Sequence, residues 1–405
     1  MAYSFRGRDA LQGAQILFVA FGGLVLVPIL TGLDPSVALF TAGAGTLLFQ
    51  WITGGRIPVF LASSFAFVSP ITYGVKEFGL PGTLSGLLAA GLFYLLLSAL
   101  IARKGTRVLR QVLPPIVTGP VIMVIGLSLA PIAIGMATES SETYGQGMAT
   151  LAASVALLAT ILASVMGRGL LHLVPLFAGI CAGYLTAIPL GMVRLSELGP
   201  APWFAIPAFT APSLHWPAVI FILPVAIVPA IEHIGDILVI GRVTDTDYLK
   251  SPGLHRTLLG DGLATCLAAL LGGPPNTTYS EVTGAVALTR SFNPGIMTWG
   301  AILAIALAFF GKLNALLNTI PPPVMGGVLV VLFGTIVVVG MNSLVEEGED
   351  LVEPRNLIIA GVILVLGVGG MTIEAGQFTL EGLSLASVVG VVLNLLLPVR
   401  IHASD

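Results

Sequence analysis

Long apolar stretches recur along the whole chain, separated by short polar breaks. Most run for about 18 residues or more, enough for one helix to cross a hydrocarbon layer about 30 Å thick. The pattern predicts about fourteen such segments, over 11–32, 34–53, 57–75, 81–102, 107–135, 146–166, 169–190, 216–241, 255–272, 276–290, 295–312, 321–341, 356–372 and 379–399. The third and tenth stand apart. They open on Pro, Ser or Thr, in "RIPVFLASSFAFVSP" and "GGPPNTTYSEVTG", and neither has an uninterrupted apolar run.

Composition supports a bilayer as the solvent. Of 405 residues 56% are hydrophobic and only 9% are Asp, Glu, Lys or Arg, against roughly 25% in soluble domains. The net charge of −3 offers no basic surface for nucleic acid. Cys181 and Cys266 both fall within apolar stretches, with no metal-site spacing and no disulfide framework, and read as small buried hydrophobes. The N-terminal "MAYSFRGRDA" leads straight into the first span without a signal-peptide cleavage pattern.

Basic residues in short loops set the orientation. With the N-terminus inside, the inner loops hold Arg103, Lys104, Arg107 and Arg110, then Arg168, then Arg242, Lys250 and Arg256, then Arg290; about fourteen of the 17 basic residues fall inside. The loop "TESSETYGQG" has no Lys or Arg and suits the outer face. An even span count returns the C-terminus to the cytoplasm. The acidic stretch "EEGED" in an inner loop does not oppose this, because acids count little.

The chain also repeats itself. "LPPIVTGPVIMVIG" from Leu113 resembles "PPPVMGGVLVVLFG" from Pro321, with Pro114, Pro115, Gly119 and Gly126 matching Pro322, Pro323, Gly327 and Gly334 at one offset. "TGGRIPVFLASSFAF" resembles "LGGPPNTTYSEVTG". The fifth span thus aligns with the twelfth and the third with the tenth. A duplicated seven-span unit places its second copy upside down. Matched interrupted helices in inverted repeats point to a transporter's binding site. A helix that starts inside the membrane exposes N–H groups and a positive dipole end there, which only protein or a water-filled cavity can satisfy.

Few ionisable residues lie within the spans: Glu232, His233, Asp236, Asp261 and Glu281. Each central charge costs roughly 2.5–3.5 kcal/mol on insertion scales, so function is the default reading. Glu232 and Asp236, four apart in "AIEHIGDILVI", share a helix face. Two acids so placed repel when both are ionised, which suits a proton-binding role for at least one. The bland reading of Asp236 is a hydrated helix end near Arg242. His233 points elsewhere and reads as a satisfied core histidine. Asp261, in "LLGDGLAT", reads as a supporting residue that caps or bonds a neighbouring broken helix. Thr278 and Glu281 form T-x-x-E, a capping box, which leaves one carboxylate oxygen of Glu281 for a cavity.

On "FGGLVLVPILTGLDPSVALFTAGAGTLLFQ", "LASSFAFVSPI", "IEHIGD" and "TTYSEVTGAVALTR", the chain resembles the nucleobase–ascorbate transporters, also called nucleobase–cation symporter 2. The resemblance covers essentially the whole length. It implies an all-α polytopic protein with about 14 transmembrane segments in two inverted 7-span repeats, spans 3 and 10 being broken with short strands. Core halves would occupy 1–105 (spans 1–4) and 213–318 (spans 8–11), and gate halves 106–212 (spans 5–7) and 319–405 (spans 12–14). By position Glu232 and Glu281 resemble the two substrate-binding glutamates, backbone groups near Phe65 and Ser280 those that bond the base, and Tyr279 a cavity-lining tyrosine. There are departures. The uracil branch resembles "EHxGH", but Asp236 replaces the last His here, as in the xanthine and uric acid branch. The usual Asn is missing at Val282, and "QH" in the first span reads Gln15-Ile16.

The function these readings imply is proton-coupled uptake of a nucleobase, uracil first and xanthine or uric acid second. Asp236 and Glu232 would carry the proton, and Asp261 and Thr278 would support the site. No cofactor is expected; the coupling ion is a proton, with sodium as the alternative. Expected partners are the small-molecule nucleobase, membrane lipid and a second copy through the gate domain, in the inner membrane. Anion carriers share this architecture but need a positive site, and a cation channel would need an open acidic pore. An enzyme is disfavoured, since no nucleophile–base pair or metal spacing occurs.

Overall fold

The computed structural model describes residues 3–105, 113–346, 348–375 and 378–398. Arg107 and Arg110, named above, Glu347 of the "EEGED" stretch, and the first residues of the expected fifth span lie outside the described residues.

The chain is mostly helical, and each expected stretch has a helical counterpart. The first is not a single rod. α1 (Ala10–Val19) passes through a π-helical turn, Gly22–Leu26, into α2 (Val27–Thr31), and the two halves meet at a 55° bend. α3 (Pro35–Ile52) starts where Asp34 caps it, accepting the Ser36 N–H at 2.8 Å, with Pro35 in the first turn.

The third stretch begins as a strand, β1 (Leu61–Ser63), and turns helical only afterwards, through Phe65–Phe67 into α4 (Val68–Lys104). The expected third and fourth spans are therefore joined. The junction is Gly79, whose φ of 70° no other residue type adopts cheaply, followed by Pro81.

α5 (Pro115–Ala137) and α6 (Gln146–Met166) follow the sequence reading, but the seventh stretch is split into α7 (Leu170–Leu173) and α8 (Pro175–Ala187) at Pro175. The eighth runs as α9 (Trp216–Ile222), a 3-10 turn, and α10 (Ile227–Thr244). α11 (Leu254–Leu271) leads to β2 (Asn276–Thr278) and the short α12 (Ser280–Thr289). α13 (Gly295–Ala308), α14 (Gly311–Asn318), α15 (Pro322–Glu346) and α16 (Pro354–Val368) continue the chain. A hairpin of β3 (Thr372–Ala375) and β4 (Phe378–Glu381) then precedes α17 (Gly382–Leu396). This hairpin corrects the all-helical expectation; its alternation of polar and apolar residues is too short to register beside the long apolar runs.

Among the described residues, six helical segments are long and apolar enough to cross a bilayer alone, seven with the bent α1–α2 pair. Four shorter apolar helices, α8, α13, α16 and α17, accompany them. Many large apolar side chains face outward, among them Val165, Leu96 and Val365. In water such surface would aggregate; against lipid tails it is the expected exterior. The interior has its own continuous core, which draws buried side chains from α1 through to α17.

Candidate functional site

β1 and β2 pair antiparallel, with Leu61 opposite Thr278 and Ser63 opposite Asn276. Three residues a side cannot hold by themselves, so neighbouring helices pin them. The Leu61 N–H donates to Thr46 Oγ1 of α3 at 2.9 Å, and Thr265 Oγ1 of α11 donates to the Asn276 carbonyl at 2.8 Å. Asn276 Nδ2 donates to the Thr41 carbonyl at 2.9 Å, and the Ser64 N–H donates to the Pro275 carbonyl at 3.0 Å. The two interrupted segments thus meet, each strand feeding a helix.

The polar cluster sits on the β2 side. Thr278 Oγ1 donates to Asp236 Oδ2 at 2.8 Å, and Ser280 Oγ donates to Asp236 Oδ1. Both carboxylate oxygens of a residue only 5% exposed are therefore engaged. Residues two apart in extended backbone project to one side, so the T-x-S spacing brings both hydroxyls to one acid. The spacing is legible in the sequence; the acid they meet is on another helix.

Two of the bland readings fail here. Asp236 is not a hydrated helix end, since it is buried and bonded to β2 and α12, while Arg242 lies outside and pairs with Glu346 at 3.8 Å. Nor is there a capping box at Thr278. Its hydroxyl is turned toward Asp236, to which it donates, and α12 begins after Tyr279 with no side-chain cap. The Val282 and Thr283 N–H groups bond the Tyr279 carbonyl, which leaves those of Ser280 and Glu281 without an intrahelical partner at the strand end.

Ser280 and Glu281 are accessible, while Val282, Thr283, Ala285 and Val286 behind them are buried. Glu232 is half-buried on α10 and lies in the electrostatic field of Asp236 and Glu281. The expected pair of glutamates comes from two separate elements and is near enough for each charge to act on the other. Tyr279 is 5% exposed and packs on the bend of the first span; a methyl group at Gly23 would lie 2.8 Å from its ring. Phe65 is also buried, heading the helix after β1, with its ring 6.3 Å from that of Phe333 on α15.

Asp261 does not cap a broken helix. It is fully buried on α11, with Oδ1 3.6 Å from His233 Nδ1. His233 Nδ1 also lies 3.5 Å from Thr278 Oγ1, and its ring stands edge-on to Phe49 at 6.2 Å. His233 thus lies between Asp261 and the Thr278–Asp236 cluster, a placement its sequence position did not suggest because these neighbours come from other elements. Among the described residues no group of three or more His, Cys, Asp or Glu is arranged to hold a metal.

The arrangement has chemical consequences. Carboxylates accept hydrogen bonds only, while open helix N–H groups donate. A ligand that presents both donors and acceptors along one edge would complete the two sets.

Comparison with known proteins is consistent with this geometry. The model of a family described as "Permease family" matches residues 8–376. The chain is 51% identical over 391 residues to a "Probable uracil permease" of Haemophilus influenzae, covering 96% of this chain and 94% of that protein. It is 45% identical over 399 residues to a "Uracil permease" of Bacillus caldolyticus, with 96% and 92% covered. For the "Uracil permease" of Escherichia coli K12 the identity is 39% over 390 residues, with 94% and 89% covered. Among solved structures, the transmembrane domain of a cyanobacterium bicarbonate transporter, BicA, superposes with a TM-score of 0.65 at 16% identity, covering 96% of this chain and 98% of that one. Murine Slc26a9, an anion transporter in the inward-facing state, gives 0.73 at 10% identity, covering 98% and 69%. At those identities the likeness is one of fold. The chain belongs to the permease family that its sequence resembles, the nucleobase–ascorbate transporters, and is a multi-pass membrane transporter, not an enzyme.

Proposed function

We propose that this chain is a proton-coupled nucleobase symporter whose first substrate is uracil. The observation that carries the reading is the lock between Asp236 and the Thr278 and Ser280 hydroxyls, which holds the head of α12, and so Glu281, beside Glu232. Uracil presents ring N–H groups that suit Glu232 and Glu281, and carbonyls that suit the N–H groups at the starts of the helices after β1 and β2. Phe65 and Tyr279 close the apolar faces of the site. The names of the relatives favour uracil. Asp236, standing where the uracil branch resembles a His, favours xanthine or uric acid as the second reading.

In this proposal Asp236 or Glu232 binds a proton from outside, substrate bridges the glutamates, and the core (1–105 and 213–318) moves against the gate (106–212 and 319–405). The proposal includes fourteen crossings in two inverted repeats, both termini in the cytoplasm, an inner-membrane location and a homodimer through the gate. The likeness to anion carriers is one of backbone only; the acids at this site oppose an anion as cargo.

The test is a thermal-shift panel of nucleobases on purified protein, at two pH values and with or without sodium. A base at 100 times its dissociation constant stabilises the fold by roughly 2.7 kcal/mol. Uracil should give the largest shift, dependent on pH and indifferent to sodium. A larger shift with xanthine transfers the assignment to the purine, and a sodium-dependent shift replaces the coupling ion.

A further inference from the structure

A cavity of about 690 Å³ opens at the far end of the elements that build the site. Its walls include Gln15 and Phe18 of α1, His172 and Phe177 around the α7–α8 junction, and Leu288 and Thr289 at the end of α12. Its volume falls within the ~300–1,000 Å³ of small-molecule sites, and a mostly apolar wall with a few polar groups is the usual composition.

Three elements run from this cavity to the candidate site. α12 carries Glu281 at one end and Leu288 at the other, seven residues or about 10 Å away at 1.5 Å per residue. α1 carries Gln15 in the cavity, and the chain then reaches Gly22 and Gly23, which face Tyr279, after about another 10 Å of helical rise. From α8, Leu176 packs on Gly22 while the adjacent Phe177 lines the cavity. Between the two ends lies an aromatic cluster: Phe177 stands 5.1 Å from Phe18 and 5.1 Å from Phe21. The cavity and the site thus lie at opposite ends of the same elements, with one tilted and one edge-on ring contact between them.

We propose that this cavity is a transit site for the nucleobase, in which the planar ring stacks on Phe18 and Phe177 while Gln15, His172 and Thr289 exchange hydrogen bonds with its edge. This rests on the nucleobase reading above. A flat heterocycle matches the aromatic walls, and the polar groups of the lining include no carboxylate, unlike the acids that define the first site. Binding here is therefore weaker than at Glu281 and insensitive to its charge. Passage requires the Phe177 ring to part from Phe18 and Phe21.

The test uses the full-length chain with Cys181→Ala and Cys266→Ala, so that a single reporter, Leu288→Cys, reads the cavity by maleimide labelling. Glu281→Gln is added to disable the first site. Uracil should slow the labelling saturably, to below roughly a third of the starting rate. Phe18→Ala or Phe177→Ala should raise the half-protecting concentration by roughly tenfold or more, since base–aromatic stacking is worth ~1–3 kcal/mol. Phe177→Trp should retain protection where the aliphatic Phe177→Leu does not, which separates stacking from packing. If uracil stabilises the wild-type chain but leaves Leu288→Cys unprotected, the transit site is overturned while the nucleobase reading stands. Labelling that is blocked equally with and without uracil means a lipid tail or detergent fills the cavity, and also overturns it. If uracil and the other bases fail to stabilise the wild-type chain, the nucleobase reading itself falls and the transit site with it.

Discussion

The two broken segments use one backbone device with opposite chemistry. Each is a three-residue strand that meets the other, then a helix that starts where the strand ends. After β1 come Ser64, Phe65, Ala66 and Phe67, without a charge, all of them buried. After β2 come Tyr279, Ser280 and Glu281, with Thr278 and Ser280 bonded to Asp236 and Ser280 and Glu281 accessible. The first arm supplies open N–H groups and an apolar wall; the second supplies the acids. A helix that starts from a strand is tolerated in either setting, so one backbone device carries an apolar head on the first arm and acids on the second. The flanking helices show the same asymmetry. Thr46 accepts from a strand N–H on the first arm, whereas Thr265 donates to a strand carbonyl on the second.

The sharpest way to break this contrast is to remove the acid that organises the second arm. Asp236→Ala leaves two buried hydroxyls without their acceptor and opens a small void, and should cost about 3 kcal/mol or more of stability. Denaturant unfolding in detergent measures it; a loss below about 1 kcal/mol means the cluster does not hold α12 in place.

Next in size is the contrast between the two helix heads. In the proposed function Glu281→Gln would remove a charge-assisted hydrogen bond to the ligand, worth roughly 1.5–3 kcal/mol, so uptake at low substrate should fall by roughly tenfold to a hundredfold. Phe65→Leu keeps an apolar wall of similar size and should alter uptake by less than about threefold. Equal losses for the two variants would show that the arms contribute alike. The smallest effect separates the threonines. Thr46→Val strands the Leu61 N–H and should cost about 1–3 kcal/mol, while Thr265→Val frees a carbonyl, a lesser fault, at about 1 kcal/mol. The reverse order in melting experiments would place the tighter anchor on the second arm.

Much was legible from pattern alone. The apolar runs located the helices because a 30 Å layer demands long uninterrupted stretches. Pro, Ser and Thr at 57–64 and 274–280 marked the broken pair, because such residues are tolerated mid-membrane only where backbone hydrogen bonds are resupplied. Glu232, Asp236 and Glu281 stood out because intramembrane charges are costly. The bend at Gly22–Leu26, the join at Gly79 and the split at Pro175 were not anticipated. A run of apolar residues reports length, and whether a Gly or Pro kinks it depends on what packs alongside.

The partner of each polar group was decided by tertiary structure. Thr278 and Glu281 satisfy the local rule for a cap, yet the Thr278 hydroxyl turns to Asp236, more than forty residues away. Asp261 and His233 have no meaningful spacing in sequence and meet at 3.6 Å. Sequence alone determined that acids would lie within the membrane and on which segments, because the free energy of inserting a charge or interrupting a helix is a local property. Only the assembled helices determined which donor meets which acceptor. A buried hydrogen bond is a short-range, directional contact between elements whose relative placement is set by packing the whole core.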